Sequence, residues 1–353
     1  MPASTSTLAA PLTFAPRLKD YLWGGRELER LFGRELPDGV IAESWEVSGH
    51  PAGVSVVDAG PLAGRDLPGL VEEFGTRLVG CRGEAAVARG EFPLLVKLLD
   101  ASHALSVQVH PDDEYAVAHE LGEPGKTEMW YILHAEPGSR IIHGLTPGTD
   151  RATLRHAVRE GRVQDCLNRA RVGPGDSILV PAGTVHGILS GMVLVEIQQC
   201  SDTTFRIHDW DRLGPDGLPR ELHAERALDA IHFGAKAPVP VAPTIVGAGD
   251  GVRREVIADC DHFAVECLHL EAGARFNSEL DGQTCEIWGV PSGRAVVEPE
   301  SASSLLLERA RFALLPATMG AFQVRAAADA VALRARLPAR KCPARDSNPE
   351  PAD

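Results

Sequence analysis

The chain has 353 residues, of which 44% are apolar and 24% charged, the balance of an ordinary globular protein with a sizeable core and room for two or three domains. Its 49 acidic and 35 basic residues give a net charge of −14. That excludes nucleic acid as the main partner, because neutralising phosphate backbones requires basic patches, but it leaves open a small phosphorylated substrate held by a few focused cations. No run of about 20 apolar residues is present, so no membrane-spanning helix is expected. The opening MPASTSTLAAPLTF lacks the basic-then-apolar pattern of a secretory signal. Seven scattered cysteines without CxxC spacing argue against a disulfide framework or a Cys-built zinc site and fit a reducing cytoplasm.

In chain order, YLWGGRELERLF (21–32) predicts a turn and a short helix, and residues 40–58 read as strands broken at SGHPAG. Residues 66–90 are helical in period but interrupted by glycine, which predicts two or three short helices. FPLLVKLLDA and ALSVQVHP are strands, and DDEYAVAHELG is a short helix capped by Asp112 and stopped by Gly122. KTEMWYIL and SRIIHGL are strands around an EPG turn. Residues 150–170 are helical, and DSILVPAGTVHGIL and MVLVEIQQC are again strands. A polar stretch from 203 to 233 ends in the helix AERALDAIHF. A Pro-rich connection at 235–248 marks the boundary between a first unit, 1–240, and a second, 241–337, built of short strands; 338–353 reads as a disordered tail. Many short strands with Gly/Pro turns indicate a mainly β barrel or sandwich with helices as separate elements.

The chemistry concentrates in two places. In LSVQVHP, Ser106, Gln108 and His110 alternate onto one face of the strand. In GDSILVPAGTVH, Gly175 suits a turn, the apolar run is a strand, Pro181 and Gly183 bend the chain, and His186 opens the return strand. Glu128 in GKTEMWYIL shares a face with Lys126, Trp130 and Ile132. Two histidines, a carboxylate and an optional amide oxygen make a plausible zinc site with an open position. A lone histidine at a strand end is usually structural; it is the combination of His110, Glu128 and His186 with the Gly/Pro spacing that points to a metal. Trp23 and Trp45 read as core, and Glu196, in an apolar strand, is either a buried ion-pair member or functional.

The Gly–Pro–Gly–His spacing resembles the second motif of the cupin barrel, the double-stranded β-helix or jelly-roll. More narrowly, the chain resembles type I mannose-6-phosphate isomerase in its short bacterial form. The pieces that carry this are YLWGGREL, ESWEVSGHP, FPLLVKLLDASHALSVQVHPDDEYA, GKTEMWYIL, VGPGDSILVPAGTVHGI, VEIQQCSDTTFRIHDWDR and RELH, from about Phe14 to Phe233, with weaker agreement to about Leu337. The resemblance implies a catalytic cupin barrel with helical insertions (about 66–90 and 150–170) and a second, degenerate cupin-like barrel that lacks a His/His/Glu set.

It also implies a zinc-dependent aldose–ketose isomerase that interconverts mannose 6-phosphate and fructose 6-phosphate through a cis-enediol, with one Zn²⁺ per chain. His110, Glu128, His186 and, least securely, Gln108 fall on metal positions. Arg206 and Lys126 fall on active-site cation positions, and Glu196 and Asp202, or a water at the metal, would handle protons. Ser106, Lys97 and His50 are candidate substrate contacts. The alternatives are a cupin oxygenase or epimerase using iron or manganese, because ligands alone do not fix the metal, and a non-catalytic sugar-binding cupin. The chain would be a monomer or homodimer.

Overall fold

The computed structural model describes residues 8–214, 216–234 and 240–339. It is mainly β, as expected, and apart from a two-stranded sheet of Phe14–Ala15 and Val56–Val57 its strands form two pairs of antiparallel sheets. In the first pair, a six-stranded sheet runs Ser177–Val180, Glu128–Ala135, Met192–Gln199, Leu94–Ala101, Glu43–Ser48, Arg17–Lys19. A five-stranded sheet runs Phe205–His208, Val107–Val109, His186–Ile188, Arg140–Leu145, Leu167–Arg171. Trp130 and Ile132 from the larger sheet and Ile141 and Ile188 from the smaller one share an apolar cluster between them.

The second pair repeats this plan. Six strands run Thr244–Gly249, Val252–Asp259, Ala264–Leu270, Ala330–Arg336, Glu286–Ser292, Phe312–Leu315. Four run Arg275–Leu280, Gly320–Ala326, Ala295–Pro299, Leu305–Leu307. Leu268 and Trp288 meet Val297, Phe322 and Val324 between the two.

The two six-stranded sheets lie back to back. Val96, Leu98, Met129, Tyr131, Val195 and Ile197 of one pack with Ile257, Val265, Cys267, Ile287 and Leu333 of the other in one core. The strands 94–101 and 192–199 are therefore buried along their whole length, which is why they read as nearly continuous apolar runs rather than as alternating ones. Lys97 and Glu196, which interrupt those runs, are on the face turned into the first barrel and line its cavity, whereas Asp100 accepts from Glu27 N–H and Ser102 Oγ.

The helices follow their capping signals. Leu67–Phe74, Thr76–Val79 and Glu84–Ala88 fill the glycine-broken stretch. Asp66, Asp112 and Asp150 accept a backbone N–H at the start of Leu67–Phe74, Asp113–Ala118 and Arg151–Arg159. The helix after Asp112 ends at Ala118, short of Gly122. Several strands were not expected, among them Thr244–Gly249, inside the presumed Pro-rich connection, and Arg275–Leu280; and the helix expected over 150–170 ends at Arg159, with Leu167–Arg171 a strand paired to Arg140–Leu145. Thr244–Gly249 is an edge strand with mostly exposed residues, so it carries no burial pattern to read. Part of that connection, 235–239, and the expected tail from 340 onward lie outside the described residues.

Cys166, Cys200, Cys260, Cys267 and Cys285 are free thiols, and Cys81 is disulfide-bonded. Among the described residues no helix is long and apolar enough to cross a membrane.

Candidate active site and metal centre

His186 opens its strand directly opposite Gln108, and His110 follows Val109 by one residue, so the short strands bring both histidines to one end of the five-stranded sheet. The bend before His186 depends on Gly183. Its φ is +80°, and a Cβ there would meet the His232 ring at 2.5 Å. Glu128 comes from the facing sheet, at the start of its strand.

The three side chains converge in a buried place. His110 Nε2 is 3.2 Å from His186 Nε2, Glu128 Oε2 is 3.5 Å from His110 Nε2, and Glu128 Oε1 is 3.4 Å from His186 Nε2. Each imidazole is oriented from behind. His110 Nδ1 lies 2.8 Å from the Thr203 carbonyl, and His186 Nδ1 lies 2.8 Å from the Thr184 carbonyl. A carbonyl can only accept, so both Nδ1 atoms carry the proton and both Nε2 atoms present lone pairs to the same point. Burial lowers both imidazoles, His110 well below its ordinary value and His186 to about 3, so neither is charged.

Glu128 is the third donor. Burial, with Glu196 adding, raises it to about 7; neither of its oxygens makes a well-formed hydrogen bond, and the counter-charge beside it is Lys126, on the Oε2 side. Two facing lone pairs and an orphaned buried carboxylate fit a divalent cation, which would satisfy all three.

The orphaning of Glu128 has a visible cause. Glu43 and Glu286 each accept from the indole of the tryptophan two residues on, Trp45 at 2.6 Å and Trp288 at 2.8 Å. Trp130, two after Glu128, instead donates to Glu196 on the adjacent strand at 3.1 Å, which leaves Glu128 free.

Gln108 flanks the group. Its Oε1 accepts from Ser106 Oγ at 3.1 Å, and its Nε2 is 3.3 Å from His186 Nε2. In this amide orientation Gln108 donates toward the histidine, and it would present oxygen to an ion only if turned over. Lys126 Nζ lies 3.2 Å from both His110 Nε2 and Glu128 Oε2.

Above this group opens a cavity of about 310 Å³. Ser106, Gln108, Lys97, Lys126, Glu196, Asp202 and Arg206 all line it, as do Tyr21, Trp23, Glu43, Thr204 and Arg220. Lys97 is buried with its Nζ 3.5 Å from Glu43 and Glu196 and 3.9 Å from Asp202, and 4.8 Å from the Trp45 ring centre. Burial alone would lower its pKa; Glu43, Glu196, Asp202 and Glu128 outweigh that and raise it. Glu196 is also buried, yet Lys126 and Lys97, with the Trp130 hydrogen bond, hold its carboxyl below its ordinary range. It is an ionised carboxylate beside the metal group.

Arg206 Nη1 donates to the Glu221 carbonyl at 2.9 Å, while its buried Nε has no partner. Burial and then Arg220 lower its pKa. Two guanidiniums therefore line this cavity, of which Arg220 is held by Asp209.

His50 is placed differently from the other candidates. It does not line the cavity. Its Nε2 is 2.9 Å from Glu123 Oε1, its Nδ1 accepts from Ala52 N–H, and its ring meets Trp45 edge-on. Glu123, absent from the sequence-based site, accepts from Ser201 Oγ, Asp202 N–H and Thr203 Oγ1. It thereby fixes the loop that supplies both Asp202 and the carbonyl behind His110. Trp23, read as core, is buried in the apolar cluster but also lines the cavity. Glu43 and Arg220 stand inside the quoted pieces ESWEVSGHP and RELH; the Glu-x-Trp repeat at 43–45, 128–130 and 286–288 was the available signal for Glu43.

A barrel holding a His/Glu/His group under a cavity lined by acidic and cationic side chains defines a cupin-type enzyme. Residues 12–126 match the model for phosphomannose isomerase type I, catalytic domain. The chain is 41% identical over 258 residues to mannose-6-phosphate isomerase of Streptococcus mutans, covering 73% of this chain and 78% of that protein. It is 37% identical over 270 residues to mannose-6-phosphate isomerase ManA of Bacillus subtilis, covering 76% and 82%. The solved structure of the mannose 6-phosphate isomerase from Bacillus subtilis superposes with a TM-score of 0.82 at 31% identity, over 92% of this chain and 99% of that one. The chain belongs to the type I mannose-6-phosphate isomerase family.

Proposed function

We propose that this enzyme interconverts mannose 6-phosphate and fructose 6-phosphate by moving a proton between C1 and C2 through a cis-enediol, with zinc held by His110, Glu128 and His186. The observation that carries the reading is the meeting of two Nε2 lone pairs and a buried carboxylate without a well-formed hydrogen bond beneath a cavity lined by Glu196, Asp202, Lys97, Lys126 and Arg206. Bound zinc would supply Lewis acidity toward the adjacent carbonyl and hydroxyl oxygens of the open-chain sugar.

The chain's own residues do the rest. Glu196, ionised and fixed by Trp130, suits a base that takes the carbon-bound proton, with Asp202 at the cavity mouth as the second candidate. Lys126 faces the developing oxyanion beside the metal group, and Arg206 with Arg220 offers forked donors to the phosphate. Ser106 and Lys97 line the sugar's path, Lys97 chiefly by holding Glu43, Glu196 and Asp202 in place. Gln108 is the fourth oxygen or an outer partner of His186. His50 acts through Glu123 rather than by touching substrate. The reaction is one of cytoplasmic sugar-phosphate metabolism, and a single chain holds all of these groups.

A coupled assay with mannose 6-phosphate decides the matter. The protein is assayed as purified, after chelator, and after restoring zinc, iron or manganese separately. Activity lost to chelator and regained best with zinc is expected. No isomerisation with any metal sinks the proposal, and oxygen-dependent turnover with iron would replace it with an oxygenase.

A further inference from the structure

We propose that Glu255, Cys267 and His269 form a second divalent-cation site, of zinc-like softness, where the two six-stranded sheets meet. It is separate from the His110 group and independent of the isomerase reading.

Register places the three together. Cys267 and His269 are two apart on one strand and so share a face, and Glu255 pairs directly with Cys267 across the ladder. His269 Nε2 is 3.1 Å from Glu255 Oε2 and 3.7 Å from Cys267 Sγ, and one ligand atom from each residue lies within 4.8 Å of the others. Zinc–sulfur bonds of about 2.3 Å and zinc–nitrogen or –oxygen bonds of about 2.0–2.1 Å put tetrahedral neighbours roughly 3.3–3.6 Å apart. The two spacings from His269 lie on either side of that range, and the third is within 4.8 Å.

The surroundings are arranged as an outer layer would be. Glu255 divides its carboxylate: Oε1 is 3.0 Å from Arg253, while Oε2 faces the histidine. Tyr131, from the back of the strand that carries Glu128, packs with Cys267 in the shared core. Cys267 and Glu255 are buried, whereas the His269 side chain is 35% exposed, which gives an ion a route in and a fourth position for water. On binding, the Cys267 thiol proton leaves to solvent as sulfur becomes the ligand. An occupied site would tie together two neighbouring strands of the second six-stranded sheet on the face that packs against the first.

Cobalt distinguishes this site from the catalytic one, whose donors include no sulfur. The full-length protein is stripped with chelator and reloaded with Co²⁺. Two cobalt ions per chain and a near-ultraviolet thiolate-to-cobalt charge-transfer band are expected. Cys267→Ser should abolish the band and leave one cobalt per chain with isomerase activity intact. His186→Ala should do the reverse, losing one cobalt and keeping the band. Glu255→Gln, which preserves shape, should weaken the band-forming event by about 10-fold or more. A wild-type protein that takes one cobalt without the band, or a band that survives Cys267→Ser, overturns the proposal and leaves an ordinary His–Glu ion pair beside a buried thiol.

Discussion

His110 and His186 face each other through Nε2 at 3.2 Å, each ring pinned at Nδ1 by a backbone carbonyl. Neither can donate to the other, so the pair is mutually repulsive unless something electropositive bridges it. Lys126, 3.2 Å from His110 Nε2 and from Glu128, supplies part of that charge from one side only. Replacing His186 by alanine, or Glu128 by glutamine, should therefore cut metal retention at this centre by more than about 100-fold, since a primary ligand is worth more than the 10- to 100-fold of an outer partner. Metal analysis after dialysis reads this directly, and activity should fall in parallel.

Gln108 gives a graded version of the same test. If its amide acts as an outer partner of His186, Gln108→Ala should retain metal with affinity weakened about 10-fold. A loss as large as that of His186→Ala would make Gln108 a direct ligand with the amide turned over.

Arg206 stands half-buried with an unpartnered Nε beside Arg220. A guanidinium kept poorly paired is suited to an arriving anion. Arg206→Ala should lower kcat/KM by about 10²–10³-fold, the scale of losing one preorganised oxyanion donor, with the unfolding midpoint nearly unchanged. Arg206→Lys should recover only part of it, since an ammonium lacks the planar fork. Near wild-type turnover in Arg206→Ala would remove the residue from the site.

The pH dependence of stability should bear the mark of Glu123. The hydrogen bond from His50 comes first among the causes that lower its pKa from 4.5 to about 2, with Asp202 N–H and Thr203 Oγ1 adding. A depressed folded-state pKa stabilises the fold above the unfolded value and stops doing so as pH falls through the folded one. Glu123 should thus contribute fully above about pH 4.5 and lose its contribution between there and about pH 2. Unfolding midpoints of wild type and Glu123→Gln, measured across that window, should converge as the solution is acidified. A constant gap would mean that Glu123 acts through shape alone.

What was readable in the sequence follows from distance along the chain. His186 could be found because Gly175, Pro181 and Gly183 dictate a strand, a bend and a return within a dozen residues. His110 and Glu128 could be found because a polar residue on an apolar strand face is conspicuous. Glu43 escaped although the Glu-x-Trp repeat at 43–45, 128–130 and 286–288 marked it; Tyr21 and Arg220 escaped because they reach the cavity from segments that are remote in sequence, and nothing local distinguishes them from core or surface charge. Glu123 escaped for a related reason: its importance lies in three contacts with residues 201–203, about 80 positions away. The Glu255–Cys267–His269 group was invisible because it exists only through a cross-strand register, which the pattern of alternation does not specify.

The second barrel repeats the first one's wiring with a different cation. Trp130 pairs with Glu196 across the ladder, and Trp288 pairs with Arg334. Where the first barrel gathers Glu128 toward a metal group, the second brings Glu286 onto the Arg334 guanidinium, which also approaches Glu266 at 3.7 Å and donates to Ser278 at 3.1 Å. Arg334 therefore supplies from protein the positive charge that an ion would supply in the other half. Arg334→Met would strand Glu286 as a buried unpaired carboxylate, whereas Glu266 keeps Arg254 and Arg336 at 2.8 Å. The expected loss is about 3–5 kcal/mol in chemical denaturation, with metal content at the His110 centre unchanged in the protein that remains folded. Adding Glu286→Gln should restore a large part of that loss, because it removes the stranded charge. If the double variant is no more stable than Arg334→Met, Arg334 stabilises the barrel by packing against Phe276 and Trp288 rather than by neutralising Glu286.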